Sequence, residues 1–231
     1  MDETVLEVAI KRGYTSVVGL LLSYSAPIPP SILPFALHQS LSPQLVQLLI
    51  RSGKADVHSA LFEGKTAFHL AITNYDEPTC YQLVKCLIES GRNTNIRKSM
   101  DETVLEVAVK RRYTSVVELL LLHNVQTPPH ILPSALQQCL PPQLVQLLIR
   151  NGNVDVRSTS SEGETVFHLA IANYDESTCH RLVKCLIKAG ANTNIRNSRG
   201  ETVLDAAIQR GYASVIKLLP RMTRYLSHWK H

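Results

Sequence analysis

Two histidines, His69 and His168, each open an apolar run and are followed seven and eight residues later by an acidic pair, Asp76-Glu77 and Asp175-Glu176. A histidine near carboxylates is common equipment for general acid/base catalysis, and paired carboxylates can also hold a cation. Neighbouring residues in a loop usually point apart and keep their water, so these pairs are expected to be solvated or to face a partner. Five cysteines, Cys80, Cys86, Cys139, Cys179 and Cys185, supply further nucleophiles or metal ligands. No close cluster of Cys and His has the spacing of a zinc site, and Cys86 and Cys185 sit inside the apolar string LVKCLI, where a thiol serves as a small hydrophobe. The sequence has no Gly-rich phosphate loop and no nucleophile elbow. No catalytic residue, metal or cofactor is therefore assigned, and an enzyme would need a site assembled between distant segments.

The elements that carry these residues are repeated. The stretch ETVLEVAIKRGYTSVVGLLL from Glu3 returns from Glu102 and again from Glu201, 99 residues apart both times. Residues 2–99 and 101–198 are about two-thirds identical. The chain is thus two near-duplicate blocks, 2–99 and 101–198, with a C-terminal unit and cap over 199–231, and it is expected to form one array over residues 1–231. Apolar helical runs at 17–22, 45–50, 83–88, 116–121, 144–149, 182–187 and 215–219 divide it into seven sub-units. Their starts step by 28, 38 and 33 residues, an average of 33.

That period, with two short helices per unit, fits a helical solenoid of the ankyrin type. The residues resemble that family as well. Gly64-Lys65-Thr66-Ala67-Phe68-His69-Leu70-Ala71 and Gly163-Glu164-Thr165-Val166-Phe167-His168-Leu169-Ala170 are similar to its G-x-T-P-L-H-x-A motif, and residues 188–194 are similar to its G-A-D-V-N turn. The near-copy blocks with Pro in their second sub-units also look like arrays of fungal ankyrin-repeat proteins. The resemblance implies an all-α solenoid of about seven helix pairs that works as a non-catalytic protein-interaction scaffold. It also implies that His69 and His168 bond structurally between neighbouring turns.

Local chemistry agrees. Thr4, Thr103 and Thr202, each followed three residues later by Glu7, Glu106 or Asp205, form capping boxes at helix starts. Ala9, Ala71, Ala108, Ala170 and Ala207 are small where helices must approach. Gly13 and Gly211 suit a turn with positive φ, and Arg112 in the matching place predicts a strained one. Pro29-Pro30 and Pro128-Pro129 occupy short connections that cannot build the full β-hairpin finger, because proline removes donors and fixes φ. The third and sixth sub-units carry about four extra residues, which are expected to lengthen the inter-helix turn into protruding loops, Asn74-Tyr75-Asp76-Glu77 and Asn173-Tyr174-Asp175-Glu176. Met222, Tyr225, Leu226 and Trp229 recur at helical spacing and predict a short capping helix after Pro220.

In the ankyrin arrangement the first helices line a concave face. Their late positions there include Lys11, Arg12, His38, Lys110, Arg111 and Arg210, which with the two loops form the expected partner-binding set. Glu3, Glu102 and Glu201 lie close enough to neutralise part of this charge. The expected partner is a protein, acidic or extended. Nucleic acid, suggested by a net charge of +5, is disfavoured by sparse aromatic interleaving and by the lack of a reader motif. No apolar run is long enough for a membrane span, the odd cysteine count argues against a full disulfide set, and acidic residues follow Met1. A soluble intracellular protein, cytoplasmic or nuclear rather than secreted, is expected.

Overall fold

The computed structural model describes residues 4–53, 65–90, 102–150 and 154–219. The chain divides into two compact units, residues 1–126 and 127–231. The predicted capping helix around Met222 and Trp229 lies outside the described residues.

Among the described residues, unit 1 contains four helix pairs: α1 (Val5–Lys11) with α2 (Thr15–Ser23), α3 (Ile32–His38) with α4 (Pro43–Arg51), α5 (Ala67–Asn74) with α6 (Glu77–Glu89), and α7 (Val104–Lys110) with α8 (Thr114–Leu122). The described residues of unit 2 contain three: α9 (Ile131–Gln137) with α10 (Pro142–Arg150), α11 (Val166–Asn173) with α12 (Glu176–Lys188), and α13 (Val203–Arg210) with α14 (Ala213–Ile216). Within each unit, first helices pack on first helices and second on second, as in α3 on α5 and α4 on α6. Each unit is therefore a short helical solenoid. A single pair cannot bury its own apolar stripe, and stacking supplies the cover.

The helix starts follow from the sequence. Thr4 Oγ1 accepts the Glu7 N–H at 3.2 Å while the Thr4 N–H donates to Glu7 Oε2 at 2.7 Å. The same reciprocal pair recurs at Thr103/Glu106 and Thr202/Asp205. Such a cap stabilises its helix by about 1 kcal/mol. Ala9, Ala71, Ala108, Ala170 and Ala207 are all buried, which lets neighbouring first helices close up. Gly13 and Gly211 adopt φ of 70°, and Arg112 adopts φ of 59° at the matching turn, a left-handed conformation that crowds its Cβ.

The connections through Pro29-Pro30 and Pro128-Pro129 contain no strand and turn directly into α3 and α9, with Ile32 N–H donating to Pro29 O and Ile131 N–H to Pro128 O. Where proline is absent in unit 2, short fingers precede α11 and α13, closed by bridges pairing Thr159 with Thr165 and Arg196 with Thr202.

The four extra residues of the third and sixth sub-units lie elsewhere than expected. The turn between α5 and α6 is Tyr75-Asp76 alone, and α6 and α12 are 13 residues long where α2, α4, α8 and α10 are nine. The insertion lengthens the second helix. Asp76 and Asp175 stand at its N-cap in extended backbone, and Pro78 falls in the first turn of α6, where a missing N–H costs nothing. These residues nucleate a helix at the point where a loop was expected.

Candidate binding interface

His69 and His168 are buried and bonded through both ring nitrogens. Thr66 N–H donates to His69 Nδ1 at 3.4 Å, with the Thr66 hydroxyl 2.7 Å from the same atom. His69 Nε2 lies 3.2 Å from Glu102 O, and a carbonyl only accepts, so Nε2 carries the proton and donates. In unit 2, His168 Nδ1 is 2.7 Å from Thr165 Oγ1 and Nε2 is 3.1 Å from Glu201 O. His69 thus caps the start of α5, His168 bonds to the N-cap threonine of α11, and each ties its helix to the next sub-unit.

The Asn-Tyr-Asp-Glu segments do not protrude. Tyr75 is only 8% exposed; its hydroxyl donates to Leu41 O at 2.9 Å, and burial pushes its pKa up to about 12. Tyr174 is half-buried and donates to Leu140 O at 2.7 Å. Asn74 reaches back to Leu37 O at 3.0 Å and Asn173 to Leu136 O at 3.3 Å. Glu77 and Glu176 reach forward, accepting the backbone N–H groups of Ser115 at 2.8 Å and Ser214 at 2.7 Å. Asp175 accepts the Thr178 N–H at 3.1 Å and the Ser177 hydroxyl at 2.7 Å. Asp76 stays exposed at the N-cap of α6. A loop here would leave these segments free; with α6 and α12 starting earlier, most of their polar groups join adjacent sub-units.

The late positions of the first helices do line grooves. Between α1 and α3 a groove of about 480 Å³ is bounded by Lys11, Pro34, Phe35 and His38, with Lys11 Nζ 5.8 Å from the centre of the Phe35 ring. Arg12, the C-cap of α1, is exposed beside it. Between α5 and α7 a groove of about 300 Å³ is bounded by Lys65, His69, Thr73, Glu102, Lys110 and Arg111. Lys110 Nζ is 2.6 Å from Glu102 Oε1, and the Arg111 guanidinium lies 5.6 Å from the Tyr113 ring centre. In unit 2 a groove of about 480 Å³ runs from Gln137 past Asn173 to Gln209 and Arg210, where Arg210 donates to Ala172 O.

The cationic stripe is therefore less free than its residue types suggest. The α11–α13 groove has also diverged in charge from its duplicate: Glu164 and Gln209 stand where the α5–α7 groove has Lys65 and Lys110. Glu164, Asn197, Arg199 and Glu201 knit its rim, with Arg199 to Glu164 at 3.1 Å and Asn197 Nδ2 to Glu201 Oε2 at 3.0 Å. Hydrogen bonds from Asn197 and Gln209 hold the Glu201 carboxyl below its ordinary range. Sequence reasoning missed Lys65, Glu164 and Arg199 because they sit on connections that helical periodicity does not index. The available signal was position: Lys65 and Glu164 immediately precede the N-cap Thr66 and Thr165, and Arg199 stands three residues before Thr202.

A family model described as "Ankyrin repeats (3 copies)" matches residues 35–128 and 134–224. The E3 ubiquitin-protein ligase KEG of Arabidopsis thaliana is 28% identical over 94% of this chain, and Rabankyrin-5 of Mus musculus is 23% identical over 68%. This chain spans only 16% and 13% of those two proteins. Among solved structures, the ankyrin repeat domain of Bcl-3 superposes with a TM-score of 0.64 at 23% identity, over 93% of this chain and 98% of that one. An ankyrin repeat domain from Acinetobacter baumannii AYE gives 0.61 at 25% identity, over 82% and 96%.

Proposed function

The chain belongs to the ankyrin-repeat family, and from that premise we propose that it is a non-catalytic scaffold gripping an extended protein partner across the concave face of its first helices. The family is a protein-interaction fold. The observation that carries the reading is that each unit, taken by itself, has grooves between its successive first helices: α1 to α3 and α5 to α7 in unit 1, and α9 to α13 in unit 2. Their walls offer hydrogen-bonding side chains on rigid helices, which suits recognition by shape and polar contacts over several sub-units.

The preference for an acidic partner belongs to unit 1 in this reading. The α5–α7 groove carries Lys65, Lys110 and Arg111 against Glu102, whereas the unit 2 groove carries Arg199 and Arg210 against Glu162, Glu164 and Glu201. An Asp/Glu-rich extended peptide is the matching probe. Lys110→Glu with Arg111→Glu weakens its binding about tenfold at low salt and less at high salt, where exposed charges are screened. Equal binding by the original and reversed chains at low salt overturns this placement. All five cysteines are free thiols, which supports a reducing intracellular setting, and no helix among the described residues is long and apolar enough to cross a membrane.

A further inference from the structure

Six of the eight large apolar side chains left exposed among the described residues belong to the first sub-unit and the residue after it: Val5, Val8, Tyr14, Val17, Leu20 and Tyr24. The duplication supplies an internal control. In the fourth sub-unit, Val104, Val116 and Leu119 occupy the places of Val5, Val17 and Leu20, and their exposures fall to 1%, 0% and 7% from 71%, 43% and 58%. The cover in the fourth case is known: α5 packs on α7 and α6 packs on α8.

That seam has a fixed polar pattern. At the third-to-fourth junction His69 Nε2 meets Glu102 O at 3.2 Å, Tyr113 Oη donates to Tyr75 O at 2.8 Å, and Ser115 N–H donates to Glu77 Oε1 at 2.8 Å. At the sixth-to-seventh junction the same atoms meet at 3.1, 2.8 and 2.7 Å through His168, Tyr212 and Ser214. The first sub-unit carries the receiving residues of this pattern, Tyr14 and Ser16, and both are exposed.

We infer that the α1–α2 face is the docking surface for one more helix pair of the α5–α6 kind, whose two helices are joined through Asn-Tyr-Asp-Glu and whose histidine, tyrosine carbonyl and glutamate complete the seam. A second copy of this chain does not fit the role while its fold is intact. The matching edges of its α5–α6 and α11–α12 are already taken by its own α7–α8 and α13–α14. The occupant is an additional ankyrin repeat of the third or sixth type.

The experiment joins a copy of residues 54–100 ahead of Asp2 in the full chain, reproducing the register of the internal junction. Extension raises the thermal midpoint by about 5 °C or more and lowers binding of a hydrophobic dye about twofold or more. In the unextended chain, Val17→Lys with Leu20→Lys leaves the midpoint nearly unchanged because both side chains are exposed; in the extended chain the same pair abolishes the gain. Circular dichroism of the unextended variant checks that it still folds. A midpoint that does not rise, or a rise that survives the two lysines, overturns the assignment. Self-association of the unextended chain that quenches dye binding and is dispersed by Leu20→Lys overturns it in favour of a second copy.

Discussion

Glu176 accepts the Ser214 N–H, and a carboxylate held by that bond resists protonation; this backbone bond is the main cause of its lowered pKa. Asp175 is held low by Thr178 first and Ser177 second. Both folded pKa values are depressed, so the unfolded chain takes up protons first as pH falls. The stabilisation is complete above about pH 5 and is lost as pH drops through and below the ordinary carboxylate range of about 4. The urea midpoint is expected to fall between about pH 5 and pH 2, and Glu176→Gln, which keeps an acceptor but cannot ionise, flattens that fall. The thiols separate by burial. Cys80 and Cys179 are fully buried, and their pKa values are pushed up to about 12, by desolvation first and by Glu77 or Asp175 next. Cys139 is exposed. A chromogenic disulfide at neutral pH should modify Cys139 at least about tenfold faster than Cys80 or Cys179, with the order read by peptide mapping. The structural use of His69 and His168 was legible because Glu or Asp fills the same slot in other sub-units. The fate of Tyr75 was not legible, because nothing in a tyrosine's flanking residues tells a solvent-facing ring from one that caps the preceding sub-unit.

At the level of single elements, the inter-helix turn is the informative place. Gly13 and Arg112 occupy duplicate positions with φ of 70° and 59°, and no atom lies within 4 Å of where a Gly13 Cβ would stand. The penalty at such a turn is therefore backbone alone. Arg112→Gly is expected to stabilise the chain by up to about 1 kcal/mol, and Gly13→Ala to destabilise it by about the same amount. Denaturant unfolding of both variants checks the pair. The seam bonds form a second test: Tyr113→Phe and Tyr212→Phe each remove one hydroxyl donor to a carbonyl and should cost about 1 kcal/mol, measured the same way. Helix starts were readable from Thr-x-x-Glu because the capping box is a local event. The four inserted residues were misplaced because a capping Asp and an early Pro favour a helix, while Asn-Tyr-Asp-Glu viewed as composition favours a loop. The competition is settled by the tertiary bonds of Glu77 to Ser115, which link residues 38 positions apart.

Across the whole molecule, near-identical helices sit in unequal surroundings. The α1–α2 pair and the α7–α8 pair share most of their sequence, yet Val17 is 43% exposed and Val116 is buried. Amide hydrogen exchange should therefore run faster in α2 than in α8, reported by peptides that differ at few positions. Comparable rates in the two would show that sequence, and not burial by a neighbour, sets protection. The number of helix pairs and their order were readable because repetition is a property of the string itself. The charge of each groove was not, since Lys65 and Glu164 acquire meaning only when the connections fold back beside Lys110 and Gln209. The junction described twice, at Glu102 and at Glu201, repeats with the period of the block. An in-frame tandem copying of one block, or its excision by unequal exchange, would bring the same histidine, tyrosine and glutamate partners together at the join, so a gene of this kind can change length in whole cassettes while keeping those three bonds.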